Sequence, residues 1–394
     1  MIPKRNLIRA FKKAVRQPGY ALEAFYKRSK SFLTYGLHDG KSAYPETISL
    51  FLTYRCNLRC KMCGQWGSSG SSRDYSAEEL KKQLSLKDIE RLLNDLKSFS
   101  PNITLFGGEP LLYNDLPEVI RMIKLRGMRC NMITNGVLLE SKAESIMDAG
   151  IDEIIFSLDG PQDVHDKIRG VAGTYDRALA GFKKVQALKA EKGTRRPHIN
   201  ISSAIFEANY SRMDETIRSA LEMGASSITF HHLIFLGKEV YEAHDKIFQR
   251  HFSCSSPDWA GFIREQLPDI NPDKLIQIIA KLKTHNSKLT TPGPPIDISV
   301  YPNLTDEDVK RYYTSFAFVP DSYKRRCMSP WMVAYIFPDG SVKPCQSLNY
   351  AVGNIKETGF KEIWNSREAL KFRSVLKKEK YFPVCPRCTE FYRY

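Results

Sequence analysis

The stretch Thr47-Ile48-Ser49-Leu50-Phe51-Leu52-Thr53-Tyr54-Arg55-Cys56-Asn57-Leu58-Arg59-Cys60-Lys61-Met62-Cys63 decides the fold. Its first part, residues 47–54, is an apolar run of strand length. It delivers the chain directly into three cysteines spaced C-x3-C-x2-C. A strand followed by a loop lets three thiolates converge on one point. Three cysteines on a four-iron cube leave one iron without a protein ligand. An open coordination position marks a reaction centre rather than a closed structural site, by the logic that separates catalytic from structural zinc. The competing reading, a zinc site short of one ligand, fails because this spacing matches no zinc module.

Working outward, further apolar runs of strand length occur at 102–106, 130–134, 153–158, 198–205 and 227–234, and helical patterns at 85–98, 115–126, 140–149, 176–191 and 210–223 alternate with them. Ser85 and Asp88 have the spacing of a capping box, and Gly127, Gly150 and Gly224 stand where helix C-caps belong. Six strands alternating with five helices predict an α/β fold with a parallel sheet, curled by right-handed crossovers into a partial (β/α)6 barrel. In such barrels chemistry sits at the C-terminal ends of the strands.

The chain has 394 residues, 42% hydrophobic and 26% charged. It contains no run of eighteen apolar residues, which excludes a spanning helix. The N-terminus lacks the pattern of a secretory signal, so a cytoplasmic location is expected. Nine cysteines then call for metal rather than disulfides. They lie at 56, 60, 63, 130, 254, 327, 345, 385 and 388. Cys130 falls in a strand pattern as a small buried hydrophobe; Cys254 stands alone.

Net charge is +15, and residues 1–44 hold ten Lys/Arg against Glu23 and Asp39. Residues 4–16 read as a basic amphipathic helix, with Leu7, Ile8, Phe11, Ala14 and Val15 on one face and Arg and Lys on the other. Pro18-Gly19 ends it, and a second helical stretch with Leu22, Phe25 and Tyr26 follows. Two expectations compete for residues 1–30: a helix capping the body of the protein, or docking on an anionic membrane surface. No RNA-binding module is recognisable, so nucleic acid is not expected as a partner.

Beyond the cysteines, Gly107-Gly108-Glu109-Pro110 follows the second strand, and Ser157-Leu158-Asp159-Gly160 ends the fourth, with Arg169 shortly after. With the C-x3-C-x2-C stretch, these residues resemble the radical S-adenosylmethionine (SAM) superfamily over residues 47–234. The resemblance implies that Cys56, Cys60 and Cys63 hold a 4Fe–4S cluster that reductively cleaves SAM to a 5′-deoxyadenosyl radical. It further implies that Gly107, Gly108, Glu109 and Pro110 receive the SAM ammonium, and that Ser157, Asp159 and Arg169 meet its ribose and carboxylate. Close backbone approach suits glycine, a carboxylate suits a cation and a guanidinium fork suits a carboxylate. Met62 stands where many members have an aromatic residue near the adenine, and a thioether can fill that space.

Near the C-terminus, Cys327 is followed by twelve residues, Gly340, four residues and Cys345, then by Cys385-Pro386-Arg387-Cys388. This resembles the SPASM/twitch extension of radical SAM enzymes. The full SPASM form uses seven cysteines; the shorter twitch form carries one auxiliary 4Fe–4S cluster on four and is the better match. Zinc on Cys327, Cys345, Cys385 and Cys388 is the rival reading. A fully ligated cluster more readily carries electrons than binds substrate.

The expected organisation is a helical segment over 1–45, a radical SAM partial barrel over 46–236, a specificity or linker region over 237–326, and a small α+β twitch/SPASM-like domain over 327–394. The expected function is that of a radical SAM oxidoreductase acting on a sugar-like or lipid-linked small molecule, reduced by a partner such as flavodoxin or ferredoxin. A peptide-modifying maturase and a non-enzymatic iron–sulfur electron carrier are the alternatives. The carrier is disfavoured because it has no use for an open iron.

Overall fold

The computed structural model describes residues 18–285 and 296–394; the basic stretch at 4–16 lies outside them. Helix α1 (Pro18–Leu37) is followed by the strand–helix alternation. Its parallel strands are β1 (Thr47–Phe51), β2 (Asn102–Phe106), β3 (Cys130–Thr134), β4 (Glu153–Ser157), β5 (His198–Ala204) and β6 (Ser227–His231). The crossovers carry α2 (Leu86–Leu96), α3 (Leu116–Leu125), α4 (Leu139–Asp148), α5 (Gln162–Arg169), α6 (Thr174–Glu191) and α7 (Met213–Glu222). The expected partial barrel is therefore present, with boundaries close to those read from the sequence.

Local chemistry accounts for these elements. Ser85 Oγ accepts the Asp88 N–H at 3.1 Å and Asp88 accepts the Ser85 N–H at 3.2 Å, closing the capping box that starts α2. The buried face of α2 is Ile89, Leu92, Leu93 and Leu96, at helical spacing. Strands β2, β3, β4, β5 and β6 alternate side chains between the core and the more open face, whereas β1 is buried along its whole length. Both faces of β1 are covered, Phe51 stacking on Phe337 and meeting Phe106 edge-on at ring centroid distances of 4.5 Å.

Two features depart from the alternation read in the sequence. Helix α5, which ends at Arg169, is an extra crossover element after β4. Residues 237–326, expected as a specificity or linker region, supply α8 (Lys238–Phe252), α9 (Pro272–His285), a seventh parallel strand β7 (Asp297–Tyr301) paired with β6, and α10 (Asp306–Thr314).

At the other sheet edge β8 (Val333–Ile336) pairs parallel with β1, Thr47 opposite Val333. Strands β9 (Ser341–Lys343) and β10 (Gly353–Asn354) continue antiparallel, giving the order β10-β9-β8-β1-β2-β3-β4-β5-β6-β7. The β8–β9 turn lies at Pro338-Asp339-Gly340, where Asp339 Oδ1 accepts the Ser341 N–H at 3.0 Å. Helices α11 (Phe360–Trp364) and α12 (Arg367–Glu379) lead to the last two cysteines. The C-terminal segment thus extends the barrel's own sheet. No helix among the described residues is long and apolar enough to cross a membrane.

Candidate active site

The first three cysteines lie on the loop after β1. Leu52 still follows the sheet, donating to the Phe106 carbonyl at 3.0 Å. The chain then turns under two glycines. A β-carbon on Gly107 would stand 2.6 Å from the Thr53 carbonyl oxygen, and one on Gly108 would stand 2.1 Å from that of Arg55. Gly108 N donates to Thr53 O at 2.8 Å and Glu109 N to Arg55 O at 2.9 Å. The Gly-Gly pair therefore exists first to let the β2 loop lie against the cysteine loop. A second brace comes from α5: Lys61 N donates to the Ile168 carbonyl at 3.0 Å.

The cysteine sulfurs accept N–H groups. Leu58 N reaches Cys56 Sγ at 3.5 Å, Trp66 N reaches Cys63 Sγ at 3.3 Å, and Arg169 Nη1 reaches Cys60 Sγ at 3.6 Å. Burial pushes the Cys56 thiol up to about 12 against the Leu58 N–H. Burial raises the Cys60 thiol as well, so these two sulfurs would ionise on binding a metal group and not before.

Glu109 is fully buried. Its Oε1 accepts the Leu111 N–H at 3.0 Å and the Thr134 hydroxyl at 2.7 Å, and its Oε2 accepts the Asn135 N–H at 2.8 Å. Burial pushes its carboxyl up to about 7, against the three donors. It fastens the β2 loop to the end of β3 as well as facing the cavity.

Asp159 and Arg169 form a buried ion pair, Oδ2 to Nη2 at 2.5 Å. Arg169 Nη2 also donates to the Ser157 carbonyl at 2.7 Å, and Asp159 Oδ1 accepts the Ala204 N–H at 2.9 Å. Burial alone would lower the Arg169 pKa, but the Asp159 carboxylate and the neighbouring thiols outweigh it and raise it. The guanidinium is a permanent cation, and its Nε is a buried donor without a partner. Arg169, expected to meet the SAM carboxylate, thus stands in the cavity wall already paired with Asp159.

These residues share one cavity of about 330 Å³. Gly107, Gly108, Glu109, Ser157, Asp159 and Arg169 line it with Cys56, Cys60, Cys63 and Met62; Pro110 is buried just beyond, opening a short 3-10 turn. Tyr54, Tyr75, Asp258, Phe262, Phe337, Gln346 and Ser347 complete the lining. Gln346 and Ser347 follow Cys345 directly in the chain. The turn at 257–262 is pressed onto the cysteine loop: a β-carbon on Gly261 would meet the Gly64 carbonyl oxygen at 2.3 Å. The sequence offered no sign of Asp258 or Phe262, since this contact brings together residues about two hundred positions apart. Thr134 and Asn135, at the end of β3, were open to the strand-end rule and were not singled out.

Cys327, Cys345, Cys385 and Cys388 are brought together as the second set. Burial pushes Cys345 up to about 12 and raises the other three, and the charge of each bears on at least one of the others. Phe382 N donates to Cys385 Sγ at 3.4 Å. A four-iron cube, which spreads its thiolates over its corners, is the group these all-sulfur sets suit. His231 and His232 do not line the cavity: His231 packs its ring on Tyr301 at 5.7 Å, and His232 Nδ1 bonds the Tyr313 hydroxyl at 2.9 Å.

The family model of the radical SAM superfamily matches residues 50–220, and that of the SPASM iron–sulfur cluster-binding domain matches residues 327–389. The chain belongs to the radical SAM superfamily. Its cofactors are 4Fe–4S clusters and SAM. The enzyme is 26% identical over 390 residues to the Fe-coproporphyrin III synthase of Methanosarcina barkeri, covering 94% of this chain and 87% of that one. It is 24% identical over 366 residues to the AdoMet-dependent heme synthase of Oleidesulfovibrio alaskensis, covering 90% and 85%. Among solved structures, Streptococcus suis SuiB bound to its precursor peptide SuiA aligns with a TM-score of 0.60 at 14% identity, over 92% of this chain and 76% of that one. The last likeness is one of fold.

Proposed function

We propose that this radical SAM enzyme reductively cleaves SAM and uses the product to oxidise a small molecule held between its two cysteine sets. The observation that carries the reading is the shared cavity: Cys56, Cys60 and Cys63 line it together with Gln346 and Ser347, the residues that follow Cys345. When bound, the cluster and SAM supply a 5′-deoxyadenosyl radical. Cys56, Cys60 and Cys63 are the proposed holders of that cluster, and Cys327, Cys345, Cys385 and Cys388 of the auxiliary one.

The remaining residues position and insulate. Gly107, Gly108, Glu109 and Pro110 set the SAM ammonium against a carboxylate kept in place by three donors. Arg169 is the proposed fork for the SAM carboxylate, with Ser157 and Asp159 beside the ribose; the buried Asp159 pair keeps the guanidinium from swinging away. Phe262, Phe337 and Tyr54 exclude water from the substrate end, so a reactive carbon is not quenched. A low-potential donor such as flavodoxin or ferredoxin supplies the electrons.

A small molecule is favoured over a peptide because the relatives aligned along 94% and 90% of this chain carry the names of a coproporphyrin and a heme synthase. Porphyrins of that kind are the first substrates to assay, with sugar-like and lipid-linked compounds next. The test is anaerobic reconstitution with SAM and a reductant, following 5′-deoxyadenosine and substrate by mass spectrometry. Stoichiometric 5′-deoxyadenosine with a substrate lighter by two hydrogens is expected. Turnover on a peptide, or a product of unchanged oxidation level, would overturn the reading.

A further inference from the structure

Helix α1 has a firmly anchored inner face. Ser31 Oγ donates to the Trp331 carbonyl at 3.1 Å, Arg28 pairs with the buried Glu46 at 2.7 Å, and Tyr35 meets the Trp331 ring edge-on at 4.9 Å. Its outer face is unlike that of an ordinary surface helix. Leu22, Phe25, Tyr26, Leu33 and Leu37 are 72%, 70%, 58%, 61% and 75% exposed. At about 100° per residue these five fall within one stripe roughly 120° wide. Single exposed apolar residues need no explanation, but a row of five along one helix marks a surface that is covered in use.

We propose that this stripe docks on an anionic phospholipid bilayer, together with the basic residues that precede it. The argument is charge. Residues 1–44 carry ten Lys/Arg against two acids, and Lys4, Arg5, Arg9, Lys12, Lys13 and Arg16 precede α1 with no acid among residues 1–17. Lys30 stands beside the stripe, its Nζ 4.1 Å from the Tyr26 ring centroid. Apolar side chains bordered by cations are the composition of an interfacial helix, the cations meeting lipid phosphates while the stripe enters the acyl boundary.

One other occupant fits less well: a second copy joined through this face would set one +8 segment against another.

The test is co-sedimentation of the full chain with phosphatidylglycerol or phosphatidylcholine vesicles at low and high salt, alongside Phe25→Asp/Leu33→Asp and Lys12→Glu/Lys13→Glu. Binding to the anionic vesicles alone, weakened by salt and lowered at least about tenfold in each variant, is expected. The variants should keep the wild-type melting temperature and SAM cleavage, because neither touches the cavity. Failure to pellet with anionic vesicles at low salt would overturn the proposal. So would equal binding by Phe25→Asp/Leu33→Asp, a wild-type dimer that this variant dissociates, or a variant melting temperature lowered as though α1 had lost an internal cover. None of these outcomes bears on the substrate.

Discussion

Gly108 and Arg55 are in backbone contact so close that a β-carbon on the glycine would stand 2.1 Å from the Arg55 carbonyl oxygen, with the Tyr54 carbonyl oxygen at 2.6 Å. Both obstacles are backbone, which cannot rotate aside. Gly108→Ala should therefore displace the loop that carries Cys56. A stability loss of about 1–3 kcal/mol is expected from overpacking, with depleted iron at the first cluster by electron paramagnetic resonance while the auxiliary signal persists. Gly36→Ala, in the last turn of α1, is the control, since nothing lies within 4 Å of its β-carbon and stability and iron content should stay near wild type.

Glu109 titrates in an unusual range, and its sign can be worked out. Burial, opposed by the Asn135 N–H, the Thr134 hydroxyl and the Leu111 N–H, pushes its carboxyl up to about 7 in the folded apoprotein, from an ordinary 4.5. The folded chain then holds this proton more tightly than the unfolded one. Its contribution to stability is present below about 4.5 and is lost as pH rises towards 7. Melting temperatures measured across that interval should fall more steeply for wild type than for Glu109→Gln. A SAM ammonium beside the carboxylate favours its ionised form, so SAM binding should release a proton near pH 6 to 7, seen as a buffer-dependent heat in calorimetry. Equal heats in buffers of different ionisation enthalpy would remove Glu109 from that role.

The two cysteine sets should separate in an iron count. About eight irons per reconstituted chain are expected from two four-iron cubes, and about four after replacing Cys56, Cys60 and Cys63 together with Ala. The triple variant should lose all SAM cleavage. Cys345→Ala should keep some cleavage and lose oxidised product, if the auxiliary cluster accepts the second electron. Zinc among the remaining metal would overturn the assignment of Cys327, Cys345, Cys385 and Cys388.

Much of this architecture was open to reading because it rests on local rules. The apolar run before Cys56, the Ser85/Asp88 box and the glycine-ended helices each state their structure within a few residues. The unread parts depend on contacts made far along the chain. Helix α5 is eight residues long, and four of them (Asp163, Asp166, Lys167 and Arg169) are charged, so no apolar stripe announces it. Strand β7 has the five residues Asp-Ile-Ser-Val-Tyr and becomes a strand by pairing with β6. The pairing of Arg169 with Asp159 needs β4, α5 and the cysteine loop together. Asp258 belongs to the same class: its place in the cavity follows from the Gly261–Gly64 contact, which no periodicity encodes.

Asp258 also yields the last prediction. Three carboxylates line the cavity: Glu109, Asp159 and Asp258. Glu109 is occupied by three donors and Asp159 by Arg169 and the Ala204 N–H. Asp258 has a looser partner, Lys343 Nζ at 4.0 Å, and lines the cavity with Tyr54, Tyr75, Gln346 and Ser347. Oxidation of a C–H bond to a carbonyl or an alkene must shed a proton as well as an electron, and a carboxylate at the substrate end is suited to take it. Asp258→Asn keeps the shape and removes the base. Product formation should fall by about 100-fold or more, while SAM binding and substrate-independent SAM cleavage stay at wild-type levels, since the SAM-side residues are untouched. Asp258→Glu should recover part of the rate. Full activity in Asp258→Asn would exclude this carboxylate as the proton acceptor. Equal loss of SAM cleavage and product would instead assign it to holding the 257–262 turn against Gly64.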